Sequence, residues 1–494
     1  MVLSRGLPAW TAASLAALSA CAVGPNFKRP AAPAAADYGT APVAGTTAAS
    51  PVTGGDQQRF VAGLDIPGQW WTLFKSPQLS GLVEEALKAN PDITAAHAAL
   101  RQAQDLYKAQ RTGFFPTVQG SFDATRAKNA VDTIANPTSL PQSNPYYNLY
   151  TAQLNLSYSP DVFGGLRRSL EASRAGVEAA RYELVAAYVT LSSNVVATAI
   201  QEAALRGQIA AAERLLALQH KLTDTLKGQR GIGTANELDL LAQQAAEAQT
   251  AATLPPLQKQ LGQTRDALTA LLGRLPSQEP AQTFRLEDLT LPQELPVSLP
   301  SRLIEQRPDV RQAEENLHAA SAAVGVALAN MLPQFQISAD TGSAALAIGQ
   351  LFTPYTGFWD LGASLTQTLF DAGALVYRHR AADDALDQAA AQYRAAVILG
   401  CQNVADTLRA LQADADALKA TAAAAAAAGK SFDLAVKQQQ IGTLSVTAVL
   451  NAEAAYQQAQ IALVQAQANR YADTAALFQA LGGGWWNLPG VTFR

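Results

Sequence analysis

Asn90-Pro91-Asp92-Ile93 opens a stretch that closes at Phe115-Pro116, and Arg307-Pro308-Asp309-Val310 opens another that closes at Leu332-Pro333. The spacing is the same at both ends, since 308 − 91 and 333 − 116 are both 217. Farther on, Ile232-Gly233-Thr234 returns as Ile441-Gly442-Thr443, now at a spacing of 209 (442 − 233). The few positions lost in between fall in a loop. The chain is one unit written twice, each copy reading helix, strand, loop, strand, very long helix, glycine-containing turn, helix. Two strands per copy cannot close a sheet, so a chain with this pattern needs further copies of itself.

The strands are legible from alternation. Tyr150, Ala152, Leu154, Leu156 and Tyr158 interleave with Thr151, Gln153, Asn155 and Ser157. Trp359, Leu361, Ala363, Leu365 and Leu369 interleave with Asp360, Gly362, Ser364, Thr366 and Thr368. Weaker alternations run through Val118, Phe122 and Ala124, and through Phe335, Ile337 and Ala339. One apolar and one polar face suit a membrane barrel and, equally, a half-buried soluble sheet. Strands of about ten residues can cross a bilayer at a tilt. Phe114, Phe115, Tyr146, Tyr147, Tyr158 and Trp359 lie near strand ends, where aromatic residues favour the membrane interface. In lipid, four strands fall short of the roughly eight of the smallest barrels. An open edge there leaves backbone groups unpaired at several kcal/mol each. Two or more subunits would then have to share one barrel.

The helices are unusually long. Residues 166–227 hold no proline, and Leu184, Tyr188, Leu191, Val195, Thr198, Leu205, Ile209, Ala212, Leu216 and Leu226 recur at three-four spacing, with Glu202 and Gln219 as polar breaks. At 1.5 Å per residue such a helix reaches roughly 90 Å. Residues 375–440 repeat the pattern. The shorter helices 92–113 and 235–272 together match the length of the long one, as do 309–330 and 445–481. Two short helices stacked end to end can therefore flank one long helix. A soluble coiled-coil scaffold would account for the helices, but not for strands inserted at matching places in both copies.

A net charge of −4 and a pI near 5.7 provide no basic field for nucleic acid. At the N-terminus, Arg5 precedes an apolar run that ends Leu18-Ser19-Ala20-Cys21. The run is too short to span a bilayer and has the layout of a secretory signal. Small residues at 19 and 20 suit a signal peptidase, and a cysteine next in line is what diacylglycerol attachment requires. An ordinary signal with a coincidental cysteine is the alternative. Ala22, in place of aspartate, leaves out the inner-membrane retention signal of enteric bacteria. Beyond Ala22 no stretch is expected to form a membrane helix, and the Ala/Pro/Gly/Thr-rich segment to about Gly55 reads as an extended linker. Cys401, the second of two cysteines, reads as a small buried apolar residue.

Chemistry-bearing motifs fail on context. Gly429-Lys430-Ser431 resembles the end of a phosphate loop, but Ala424 stands where its first glycine belongs and no strand precedes it. Gly228, Gly231 and Gly233 read as a helix-to-helix turn. His97, His220, His318 and His379 lack metal-ligand spacing. Carboxylates fall mostly on polar helix faces, where solvation is the default. Neither an enzyme nor a metal or other cofactor is expected.

In its order of motifs the chain resembles the TolC-like outer-membrane efflux channels, in their NodT-type lipoprotein branch. The resemblance rests on Cys21-Ala22-Val23-Gly24-Pro25-Asn26-Phe27, on Trp70-Trp71-Thr72-Leu73-Phe74 followed by Pro77, Leu79, Leu82, Ala86, Leu87 and Asn90, and on Arg307-Pro308-Asp309-Val310. It rests further on Asp161 through Gly165, on Ile441-Gly442-Thr443 and on Leu481-Gly482-Gly483-Gly484-Trp485. The implied fold is mainly α with a transmembrane β part. A homotrimer would form a twelve-stranded barrel continuing into a long α-helical coiled-coil barrel. The implied division is a lipoprotein signal 1–20 and a lipid-anchored linker 21–60. The first repeat is 61–297 (strands about 117–127 and 147–159, helices about 166–227 and 235–272). The second is 298–481 (strands about 334–345 and 358–369, helices about 375–440 and 445–481), and 482–494 joins an equatorial belt. The resemblance further implies a passive outer-membrane conduit that docks on a periplasmic adaptor and an inner-membrane RND-type pump. Its cargo would be drugs or other small toxic compounds. An envelope lipoprotein or adhesin using a coiled-coil rod as spacer is the alternative.

Site residues follow from the same resemblance. Cys21 would carry the lipid. Gly233, Thr234, Gly442 and Thr443 would form the periplasmic tips, and Asp161, Gly164, Asp371 and Gly373 the strand-to-helix turns. Asp239, Thr447 and Asn451 are the candidates for a pore constriction. Two departures matter. Gln438-Gln439 and Gln229-Arg230 stand where family members often have Arg-Tyr, and Asn451 stands where an aspartate is common. Asparagine hydrogen-bonds without charge, so no acidic ring is carried over to that position. Asp239 reads equally as a pore acid or as a solvated surface charge.

Overall fold

The eight α-helices are α1 (Pro77–Ala89), α2 (Pro91–Thr112), α3 (Gly165–Gly231), α4 (Glu237–Leu271), α5 (Pro300–Gln306), α6 (Pro308–Ala329), α7 (Ala374–Gln440) and α8 (Val446–Ala480) among the described residues. The strands are β1 (Arg59–Ala62), β2 (Thr117–Lys128), β3 (Tyr146–Tyr158), β4 (Glu294–Val297), β5 (Gln334–Ala345) and β6 (Gly357–Thr366). The computed structural model describes residues 22–35, 37–39, 45–128 and 146–488, so Cys21 and the signal reading of 1–20 lie outside it. The internal repeat carries through to element lengths. Helices α2 and α6 both have 22 residues, α3 and α7 both 67, and α4 and α8 both 35.

The chain divides into two compact units, one comprising the residues to Arg29, Arg101–Glu178 and Glu315–Ala391, the other Pro30–Leu100, Ala179–Glu314 and Gln392–Arg494. The first holds an antiparallel sheet in the order β2-β3-β5-β6. Its register sets Gln119 beside Asn155, Asn155 beside Asp340, and Asp340 beside Asp360, a single polar level across all four strands. One residue along, Val118, Leu156, Ala339 and Leu361 make the corresponding apolar level. Val118, Phe122, Leu154, Trp359, Leu361 and Leu365 are all exposed on that face. Strand β6 ends at Thr366, short of the 369 that alternation pointed to. Its partner β5 starts at Gln334, directly after Pro333, which has no N–H with which to extend the ladder.

In the same unit the start of the described chain is clamped. Arg168, 5% exposed, donates to the carbonyls of Val23 and Gly24 and to Asn26 Oδ1 at 2.7 Å. Phe27 stacks on His318 with 4.3 Å between ring centroids. Gly24 has φ +93, and a Cβ there would meet the Gly325 backbone at 2.4 Å, so only glycine fits.

The core of the second unit gathers Ile66, Trp70, Trp71, Phe74 and the α1 face Leu79, Leu82, Val83, Ala86 onto α3, α7 and α8. Trp70 stacks on Phe478 at 5.3 Å. Helix α3 contains a stretch that by length and composition is long and apolar enough to cross a membrane, contrary to the sequence expectation. That helix supplies Val195, Val196, Ala199 and Ile200 to this core, which accounts for the apolar run. Residues 45–58, part of the extended linker expected over 21–60, are held by buried hydrogen bonds. Arg470 is fully buried and donates to Leu411 O, Thr47 Oγ1 and Asp56 O. Gln58 donates to Pro292 O and Thr474 Oγ1. Strands β1 and β4 then pair in parallel. Composition reports backbone freedom, and cannot show that a few polar atoms have buried partners far along the chain.

Repeat symmetry also fixes the helix junctions. Asn90 Nδ2 donates to Leu271 O at 2.9 Å, and 217 positions on (307 − 90) Arg307 Nη1 donates to Ala480 O at 2.9 Å. Gly273 and Gly482 end the preceding helices with φ +71 and +96. A Cβ on either would strike a backbone carbonyl, Ala89 O at 2.6 Å or Gln306 O at 2.4 Å. The end of α4 thus abuts the start of α2, and the end of α8 the start of α6.

Candidate functional site

Three sets of residues are candidates for function: the tips between long and short helices, the turns between sheet and long helices, and the polar face of the sheet.

At the tips, Gly233 and Gly442 take φ +77 and +75. Thr234 N donates to Gln229 O and Thr443 N to Gln438 O, each at 2.9 Å, while Gly233 N reaches Arg230 O and Gly442 N reaches Gln439 O. These paired bonds satisfy the last carbonyls of α3 and α7, and the left-handed residue they demand is glycine. Both threonine hydroxyls add a bond to the same carbonyls at 3.0 Å. Asn236 then caps α4 through Asp239 N at 2.7 Å, and Ser445 caps α8 through Ala448 N at 3.3 Å. Ile232 and Ile441 stand exposed at equivalent places on the two turns.

The constriction candidates separate. Asp239 is half-buried in the first turn of α4, where its own N–H receives the cap and the helix dipole favours a carboxylate. Thr447 and Asn451 are exposed one turn apart on α8. The opposite face of α8 buries Val446, Val449 and Glu453.

Sequence reasoning missed that Glu453. It is 2% exposed, and neither carboxylate oxygen has a hydrogen-bond partner among the described residues. Burial pushes its carboxyl up to about 7, opposed by the side-chain amide of Gln219, which faces it too poorly aligned to close a full hydrogen bond. Gln219 Oε1 and Gln243 Nε2, both buried, are likewise unpartnered. The signal was half visible: Gln219 interrupts the apolar series of α3, but a lone glutamate on a helix reads as solvated.

Nearby, the two copies diverge. Thr223 donates to Glu247 Oε2 at 2.6 Å, and His220 Nδ1 pairs with the other oxygen. The Thr223 hydrogen bond leads in lowering the Glu247 carboxyl below its ordinary value. Shifted by 209, the same three positions are Phe432, Gly429 and Tyr456, and there Phe432 stacks on Tyr456 at 5.7 Å. A polar clasp in one helix pair is an aromatic one in the other.

At the sheet-to-helix turns, Asp161 Oδ1 and Oδ2 accept from Leu166 N and Arg167 N at 2.9 and 3.0 Å. Asp371 accepts from Gly373 N and Leu375 N at 2.9 and 2.7 Å. Both aspartates cap a long helix, and Gly164 and Gly373 supply the left-handed step at φ +79 and +88. Asp371 stands one place closer to its helix than Asp161, and Ala372 at φ 54 takes up the difference. The polar sheet face carries Asp123, Asp340 and Asp360 without a facing cation on the same levels, amid bonds such as Asn155 Nδ2 to Ser121 Oγ at 3.3 Å. No grouping of three or more His, Cys, Asp or Glu that could hold a metal occurs among the described residues.

The family model described as outer membrane efflux protein matches residues 82–274 and 299–483. The chain is 29% identical over 422 residues to a pyoverdine export outer membrane protein of Pseudomonas putida, covering 85% of this chain and 89% of that protein. It is 26% identical over 471 residues to the cation efflux system protein CusC of Escherichia coli, covering 95% and 97%. Among solved structures, the outer-membrane channel OprN superposes with a TM-score of 0.83 at 28% identity, over 94% of this chain and all of that one. The Vibrio cholerae outer membrane protein VceC gives 0.78 at 26% identity, over 85% and 99%. These relatives are efflux and channel proteins of the outer membrane rather than enzymes.

Proposed function

The chain belongs to the outer membrane efflux protein family, and from that premise we propose that three copies close one twelve-stranded barrel in the outer membrane, continued by a helical tunnel into a passive export conduit. Work in the outer membrane as a component of efflux is common to its relatives. The observation that carries the trimer is the sheet. Its four strands have an exposed apolar face and a hydrogen-bonded polar one, and β2 and β6 each pair on one side only among the described residues. In hydrocarbon each unpaired backbone group would cost several kcal/mol, and strands from further copies remove that cost.

In this reading, Cys21 bears the lipid once 1–20 is removed. Ala22 supports this, because it lies against the turn that joins sheet to helix, with a Cβ on Gly164 falling 2.6 Å from it. Residues 21–60 tether the chain, repeats 61–297 and 298–481 build the channel, and 482–494 completes the belt. The tips at Gly233, Thr234, Gly442 and Thr443, with exposed Ile232 and Ile441, meet a periplasmic adaptor. An inner-membrane RND-type pump supplies the energy. Thr447 and Asn451, with Asp239, narrow the entrance. The relatives' names cover pyoverdine export and cation efflux, so a common fold carries different cargo. For this chain drugs or other small toxic compounds are proposed, with selection left to the pump.

The purified protein in planar bilayers is expected to give discrete ion conductance and to run on gels as a trimer that boiling dissociates. A protein that loses its acyl group and then stays monomeric in water without detergent would overturn the reading.

A further inference from the structure

We propose that Glu453 is a proton-operated latch on the helix tips, holding α8 against α3 while it carries its proton and loosening that contact when it ionises. The inference rests on the conduit reading above and adds a control to it.

The geometry sets the terms. Glu453 is the sole charged residue of α8 between Val446 and Asn469, and it points inward with the buried residues Val446 and Val449. The exposed Asn451, a constriction candidate, lies two positions earlier on the same helix. A carboxylate buried with no well-formed hydrogen bond is costly, whereas the neutral acid is tolerated. Among the described residues its surroundings supply no compensating charge. From α3 it is faced by neutral Gln219, while His220 is exposed and engaged with Glu247. On α4, Gln243 is neutral, and Glu247 is committed to Thr223 and His220. From α7 the buried face is Ala425, Phe432 and Ala435, with Lys430, Asp433 and Lys437 exposed. No charged group among the described residues therefore stands in when the proton leaves, and relief comes from water entering between α8 and α3. The free oxygen of Gln219 would also gain a partner from that water.

The direction follows from linkage. An acid whose pKa is raised in the packed state holds its proton there after the loosened state has lost it. The packed state therefore weakens as pH rises from the ordinary value of 4.5 to about 7, and the loss levels off above that. If the loosened Glu453 titrates as an ordinary glutamate, that separation amounts to at most about 300-fold per subunit, at tenfold per pH unit.

The test is single-channel recording of the full-length trimer between pH 4.5 and 8, on wild type, Glu453→Gln and Gln219→Leu. Wild type should open more often as pH rises through this window and level off near neutrality. Glu453→Gln should stay mostly closed throughout, with little pH dependence and an unchanged conductance of the open state. Gln219→Leu should move the wild-type transition to higher pH. Trimer bands on unboiled gels establish that each variant assembles. A wild-type response that survives in Glu453→Gln overturns the latch. A wild type that assembles but never conducts overturns the conduit instead.

Discussion

Arg307 Nη1 donates to the carbonyl of Ala480 at 2.9 Å, while its other nitrogens hold the Asp309 carboxylate at 3.0 and 2.6 Å. The guanidinium thus joins the end of α8 to the start of α6. Asn90 makes the corresponding link in the first copy with a neutral amide. Arg307→Ala should lower stability by about 1–3 kcal/mol, because a charged hydrogen bond is lost and a carbonyl is left bare. Arg307→Asn should lose less, since asparagine already does this work at position 90. Denaturant titration in detergent reads both.

Two glycines of similar backbone conformation should respond very differently to alanine. Gly233 has open space where a Cβ would go, so Gly233→Ala should cost only backbone strain, about 1 kcal/mol. Gly482→Ala would drive a Cβ onto Gln306 O at 2.4 Å and should block assembly. Trimer yield on unboiled gels distinguishes them.

Asp473 offers a pH-dependent contrast. Burial pushes its carboxyl up to about 7, helped by the hydrogen bond and charge of Asp414 and opposed by Arg470. The folded state keeps this proton above pH 3.8, where the unfolded chain gives it up. Stability from this group should therefore decline as pH climbs from 3.8 toward 7 and then level off. Asp473→Asn should flatten that slope relative to wild type in melts run across the window. An unchanged slope would place the titration elsewhere.

Asp340 and Asp360 sit side by side on the polar face of the sheet. If that face lines a lumen, replacing both by asparagine should lower the preference for cations over anions severalfold. Reversal potentials in a salt gradient check this, and Asn451→Asp should shift them the opposite way if Asn451 borders the entrance.

Much of this fold can be read from the chain because the repeat gives each element twice. The offsets of 217 and 209 recur in the helix starts, in the glycines at 233 and 442, and in the bonds from Asn90 and Arg307. Alternation located the strands, since a half-exposed sheet repeats every two residues. What escaped were contacts between residues far apart in sequence. The β1–β4 pair is four residues long on each side, too short to show a period. Arg470 reads as an ordinary surface charge until Thr47 and Asp56 are seen to meet it. Glu453 escaped for the same reason: nothing local separates a buried acid from a solvated one.

The long helices have 67 residues in each copy, and the helices that return from their tips have 35. A single-residue deletion in one of the long helices would draw its tip back by about 1.5 Å and rotate it by roughly 100° relative to its twin. Evolution of such a chain is thereby constrained to change length in both copies together, or in the hairpin loops where mismatch is harmless. That explains how two sequences can drift apart until one copy keeps a histidine clasp where the other has an aromatic one, yet remain in step to the residue.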